Sequence, residues 1–426
     1  MQNAAHCNVL PKSYKITFPQ RPTFTPKPHA MTRFFITGRR KSRIANAVFF
    51  FVSGFGYAAW ASRIPTIRHE LQLSDSMLGA LLFAMPAGLI CTLPITQRLL
   101  RRYSSNSIML AGSLGFSVAL ALTGFVSAVW QLALLLFCFG STRNLLNISM
   151  NAQAVTVQRM YKKKSVITAF HGVWSIAGFA GAALGYVLVQ SGVGIVWHFP
   201  AVGLVIAGLS LWQFRRTISE KPKPQPRRNL FSVPKGPMRR YALIVFLCMA
   251  CENTMYDWSG VYFQKTVGAG AALSTAAFAA YIAMMTAGRF AGDRIVTHIG
   301  VRQMLLLSAA LLTTGFAIAV LFPYAVTGFL GFMMAGFGVS CISPLVFSLA
   351  GKTTRNDSAG ALASISSVSY IGFLVVPPLV GFLSEAAGIR VSFGIVGTMA
   401  FAMLLLIRGI EKDAHHVSEH PEEPLM

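Results

Sequence analysis

The chain has 426 residues, 54% of them hydrophobic and only 12% charged, where a soluble globular protein carries roughly twice that charged fraction. Apolar runs of about 20 residues recur along most of its length, which suits bilayer-crossing helices and excludes both a soluble domain and barrel strands. The formal net charge of +24 raises nucleic acid as a partner, but Lys and Arg cluster in every second interhelical loop, the pattern of cytoplasmic loops, so no nucleic-acid partner is expected.

Residues 1–38 hold five prolines, five Lys or Arg and no acidic residue. They lack the apolar core of a secretory signal, and residues 1–43 read as a disordered, basic cytoplasmic tail, with Met31 an alternative start. Twelve spans follow, predicted at 44–65, 74–97, 105–126, 130–156, 166–190, 195–214, 239–264, 272–294, 302–322, 325–350, 358–384 and 390–409. Arg63-Ile64-Pro65 is expected to end the first of them, because proline disfavours helix in the residue before it. Trp60 and Arg63 there read as interface anchors or an outer gate. The segment 217–238 carries Pro222, Pro224, Pro226, Pro234 and Pro237 among several bases and reads as a semi-extended linker. It separates two six-helix bundles, 44–216 and 239–409, and a second tail covers 410–426. The expected fold class is therefore an all-α polytopic membrane protein.

Loop charge sets the expected orientation. One set of loops holds Arg98, Arg101, Arg102, Arg159, Lys162, Lys163, Lys164, the run from Arg215 to Arg240, Arg294, Arg302, Lys352 and Arg355. The other set holds little beyond Arg63, Arg68, Lys265 and Arg390. Both termini are thus expected in the cytoplasm. Cys248 and Cys251 have CxxC spacing but lie in an apolar helix, where packing is the expected role.

The seventh span is unusually polar. Glu252, Asn253, Tyr256 and Asp257 sit in it, and a mid-bilayer charge costs at least ~2.5 kcal/mol, so such residues usually face a cavity or a protein interior. On a helix Asn253 and Asp257 share one face, with Glu252 and Tyr256 on the next. Three readings are open: a proton site, a hydrogen-bonding site for substrate hydroxyls, and a structural ion pair. Arg143 reads as the only Lys or Arg deep within a span, on a stripe with Asn147 and Asn151. It can bind a substrate carboxylate or phosphate, or instead pair with Glu252 or Asp257. His171 and Trp174 near the start of span five, with Tyr370 at the matching place in span eleven, suit an aromatic-lined polar cavity. An ordinary histidine titrates near neutrality, so His171 is a further proton-path candidate; packing is the competing role.

Gly288-Arg289-Phe290-Ala291-Gly292-Asp293-Arg294, followed by Gly300, resembles the signature of the major facilitator superfamily between spans eight and nine. The equivalent first-half stretch, Pro94 to Arg102, keeps the bases but lacks the acid and both glycines. Trp60 to Pro65, Met150 to Ala154, Asp257-Trp258-Ser259 and Gly372-Phe373-Leu374 with Pro377-Pro378 resemble the YbjJ-like inner-membrane proteins near the fucose-permease branch, a group that includes MosC. The resemblance implies a secondary transporter of the inner (plasma) membrane, with Gly288, Arg289, Gly292, Asp293 and Arg294 as gating residues. With Glu252 or Asp257 as the titrating group, proton-coupled uptake (symport) of a small polar, sugar-like solute by a monomer in the bilayer is expected. Efflux and a transport-inactive scaffold are the alternatives. No Walker loop, metal-ligand cluster or nucleophile–base pair stands in the sequence, so no cofactor, metal or catalysis is expected.

Overall fold

The apolar runs become long helices. The computed structural model describes residues 28–161, 166–220, 233–236, 238–353 and 358–410, with side chains from residue 38 except those of 352–363. The tail 1–27, most of the 217–238 linker, Lys162, Lys163, Lys164, Arg355 and residues 411–426 lie outside it. The helices are α1 (Pro28–Ala61), α2 (Ile64–Glu70), α3 (Asp75–Arg102), α4 (Ser105–Thr123), α5 (Val129–Arg159), α6 (Ile167–Gln190) and α7 (Ile195–Phe214). The second half comprises α8 (Met238–Tyr262), α9 (Ala271–Ile299), α10 (Val301–Leu321), α11 (Ala325–Thr353), α12 (Ser358–Ala387) and α13 (Ile389–Arg408). No strand occurs among the described residues. A short first unit ends at Arg40, and the unit from Lys41 onward holds every site discussed below. Helix from Pro28 takes in part of the stretch expected as a tail.

Eleven of these helices are long and apolar enough to cross a membrane. The expected seventh span, α8, is not among them: its 25 residues reach about 37 Å at 1.5 Å per residue, long enough to cross, but its polar residues lower its hydropathy. Between α1 and α2 the chain turns at Ser62 and Arg63, and Pro65 sits in the first turn of α2, where its missing N–H costs nothing. Ser74 caps α3, its hydroxyl accepting from the Met77 amide at 3.2 Å. At its far end α8 relaxes into a π turn, Phe263–Val267, closed by Gly268 at φ 70°, a left-handed conformation open to glycine. Pro377 and Pro378 lie inside α12, which stays helical through both.

Lipid offers helices no hydrophobic reward for associating, so small residues that admit close contact decide the packing. A Cβ on Gly140 of α5 would overlap the Met85 carbonyl of α3, and one on Gly112 of α4 would fall 2.5 Å from the Leu146 amide of α5. In the second half Gly315 of α10 and Gly331 of α11 face one another's backbone in the same way. Between the halves, α3 packs on α12 and α6 on α9.

Trp60 and Arg63 are each only 2% exposed, which corrects the anchor reading. Arg63 donates from Nε to His198 Nδ1 at 3.0 Å and from Nη2 to the Val193 carbonyl at 2.7 Å. The guanidinium therefore ties the α1 exit to α7 and the loop before it, because a buried cation must find acceptors inside the protein.

Candidate functional site

The polar stretch of α8 faces protein on all sides, and its partners come from both halves. Glu252 Oε1 lies 3.6 Å from Arg289 Nη2 of α9. Arg289 also donates from Nη1 to Ser175 Oγ of α6 at 2.9 Å and lies over the Trp174 ring, 5.4 Å from its centroid. A charged group in a low-dielectric interior needs such partners, and Arg289 has all three kinds: an anion, a hydroxyl and a π face. Thr286, one turn earlier on α9, donates to the Ser175 carbonyl at 3.1 Å and fixes the same α6–α9 contact.

This corrects two expectations. Glu252 pairs with Arg289 and not with Arg143, and Arg289 is a second arginine inside a span that reaches the interior site. Arg143 instead lies over the Tyr57 ring at 4.0 Å. Its Nε is buried without a hydrogen-bond partner among the described residues. Asp257, 8% exposed, feels Arg143 electrostatically but forms no ion pair or hydrogen bond among the described residues. Tyr57 packs on Tyr256, with ring centroids 5.2 Å apart, and Tyr281 of α9 meets Tyr256 edge-on at 5.9 Å. The Tyr256 and Tyr281 hydroxyls and Asn253 Nδ2 are buried and unpartnered among the described residues. Buried polar groups are usually satisfied, so these four groups, on α5, α8 and α9, leave unused donors and acceptors in the neighbourhood of Asp257.

The remaining expected site residues divide. Trp174 belongs to the site through Arg289. His171 is exposed on α6, with its ring edge-on to Phe50 at 5.3 Å, and feels Arg289 electrostatically. Asn151 Nδ2 turns back onto Asn147, to its carbonyl at 2.8 Å and its Oδ1 at 3.1 Å. Neither makes a hydrogen bond to the residues around Asp257 among the described residues. Tyr370 is half-buried on α12 and makes no ring contact or hydrogen bond among the described residues.

Gly288 and Gly292 do what the motif requires sterically: a Cβ at either would overlap Ser340 or Cys341 of α11. Asp293 and Arg294 are exposed, and Asp293 has no ion pair among the described residues. Arg289, one turn before Asp293, points instead to the interior, toward Glu252 and Ser175.

Sequence reasoning did not bring Tyr57 or Tyr281 into the site. Tyr281 carried no local signal, since a lone tyrosine in a span is unremarkable until its partners are known.

Comparison with known proteins agrees with the fold. The family model of the Major Facilitator Superfamily matches residues 47–366 and 300–425. An uncharacterized MFS-type transporter of Yersinia pestis is 27% identical over 370 residues, covering 87% of this chain and 96% of the relative. Membrane protein MosC of Rhizobium meliloti is 24% identical over 356 residues, covering 83% and 86%. Among solved structures, the nucleoside transporter NupG superposes with a TM-score of 0.70 at 10% identity, covering 87% of this chain and all of that one. A D-xylose-proton symporter does so with a TM-score of 0.70 at 12% identity, covering 88% and 98%.

Proposed function

We propose that this chain, which belongs to the Major Facilitator Superfamily and is a membrane transporter and not an enzyme, takes up a small polar, sugar-like solute by alternating access with protons as the driving ion. The observation that carries the reading is the set of unpartnered polar atoms on Arg143, Asn253, Tyr256 and Tyr281 around the unpaired Asp257. Leaving them unbonded in a membrane interior is costly, and a solute rich in hydroxyls or amides repays that cost. Tyr57, Tyr256 and Trp174 supply ring faces for its apolar side. Two structural neighbours, a nucleoside transporter and a D-xylose–proton symporter, support the solute class and the coupling ion.

In this reading the two six-helix bundles, 44–216 and 239–409, rock about the site, joined by the 217–238 linker. Asp257, the carboxylate without a fixed partner, carries the proton. Glu252, held by Arg289, bridges the halves through Ser175. The protein acts as a monomer in the inner membrane, with both termini and the basic loops in the cytoplasm.

A proteoliposome screen of sugars, polyols and nucleosides, with and without an imposed proton gradient, tests the proposal. Gradient-driven accumulation by the wild type and its loss in Asp257→Asn, with solute exchange retained, is the expected result. Accumulation that persists unchanged in both Asp257→Asn and Glu252→Gln removes the coupling role. Movement of no solute by the wild type removes the transport reading.

A further inference from the structure

Alternating access needs a gate at each end of the path, and the Gly288–Arg294 region accounts for one. The end that carries α2 holds a cluster that no motif marks. Asp75 opens α3 with its side chain fully buried. Its Oδ1 accepts from Arg68 of α2, at 2.9 Å from Nη2 and 3.1 Å from Nε. Its Oδ2 accepts from Lys265 Nζ of the π turn at 2.6 Å and from Ser384 Oγ of α12. The neighbouring Glu385 accepts from the backbone amides of Asp75 and Ser76 at 2.9 and 3.4 Å. A carboxylate from the second half thus caps the α3 N-terminus of the first, where free amides and the helix dipole favour negative charge. The backbones are also close: a Cβ at Gly381 of α12 would lie 2.6 Å from the Asp75 carbonyl, and one at Gly79 of α3 would lie 2.8 Å from the Pro377 carbonyl. Beside this contact Thr275 of α9 donates to the Ser62 carbonyl at 3.3 Å.

The cluster divides along the seam between the halves. Arg68 and Asp75 belong to the first half; Lys265, Ser384 and Glu385 belong to the second. We propose that these residues form the gate at the α2 end, with Asp75 passed between two sets of partners. In the closed state shown by this structure it holds Lys265 and Ser384. In the open state the second half withdraws and Arg68 alone retains Asp75. A buried carboxylate stripped of every partner is strongly disfavoured, and a resident arginine removes that obstacle to opening. Lys265, whose side chain is already 37% exposed, passes into water when released. Arg68 and Lys265 therefore have opposite effects on the gate, although both are cations on the same carboxylate.

The inference rests on alternating access, and hydrogen–deuterium exchange on the full chain in lipid nanodiscs tests it without a known solute. Lys265→Ala and Glu385→Ala are expected to shift the equilibrium about fivefold or more towards the state open at α2, a usual size for one coupling contact. Exchange over residues 74–80 then quickens by that factor, and exchange over 289–299 slows as the other end closes. Arg68→Ala is expected to move both segments the other way. If Arg68→Ala and Lys265→Ala act in the same direction, or if exchange rises at 74–80 with no change at 289–299, the cluster is only a local brace and the proposal fails. Solute uptake reads the transport function separately. A chain that moves solute without reciprocal exchange loses the gate alone, and one with reciprocal exchange that moves nothing loses the transport reading alone.

Discussion

Replacing Glu252 by glutamine decides which arginine holds it. At 3.6 Å the Glu252–Arg289 pair attracts by about 4.6 kcal/mol at an effective dielectric near 20. That gross term is offset by desolvation and trimmed by water, since the two side chains are 14% and 27% exposed. Removing one partner of a buried pair costs roughly 3–5 kcal/mol, because the other charge is left behind. Ser175 and the Trp174 ring remain with Arg289, so the low end applies, ~3 kcal/mol. An unfolding entropy of roughly 2.1 cal/mol/K per residue gives about 0.9 kcal/mol/K for a chain of this length, so Tm falls by about 3 °C. Thermal unfolding in detergent, followed by intrinsic tryptophan fluorescence, reads this. Glu252→Gln combined with Arg289→Gln is expected to recover most of the loss, because no orphan charge remains. Glu252→Gln combined with Arg143→Gln is expected to be additive within about 0.5 kcal/mol. The reasoning is refuted if Arg143→Gln rescues Glu252→Gln and Arg289→Gln does not.

Other substitutions probe the packing and the site. Gly140→Ala drives a methyl into the Met85 carbonyl and is expected to cost about 1–3 kcal/mol, whereas Gly208→Ala, with open space around it, stays within about 0.5 kcal/mol in the same melt. Arg63→Gln cannot reach both His198 and Val193 and lowers stability by roughly 2–4 kcal/mol through lost charged hydrogen bonds, read as a lower Tm with helical content unchanged by circular dichroism. Arg143→Lys keeps the charge but loses the planar stack on Tyr57 and the fixed donor fork. It is expected to raise the KM for uptake about tenfold, which corresponds to ~1.4 kcal/mol, and an unchanged KM removes Arg143 from the solute site.

The spans were legible in the sequence because crossing a bilayer is nearly a one-dimensional property: about 20 apolar residues suffice wherever the helix then packs. The polarity of α8 and the crowded glycines Gly288 and Gly292 could also be read locally, since charge in a span and a small residue at a crossing each have few uses. The pairing of Glu252 could not. Arg289 and Arg143 were both within reach in principle, and only the rotation of α8 against α9 and α5 chose between them. The placement of α9 in turn depends on close contacts such as that with α11, where a Cβ on Gly336 would lie 3.1 Å from the Met285 amide, between residues far apart in the chain. The same holds at the α2 end. Residues 68, 75, 265, 384 and 385 are ordinary loop and helix-end residues one by one, and two of them entered the sequence reading only as stray bases in sparse loops. Tertiary packing makes them one cluster, because a carboxylate that the fold buries must collect its partners from whichever helices reach it. The sequence by itself thus determined that this chain threads a membrane with charge held inside, and only the tertiary structure decided which charges meet, because that depends on helices brought together from distant parts of the chain.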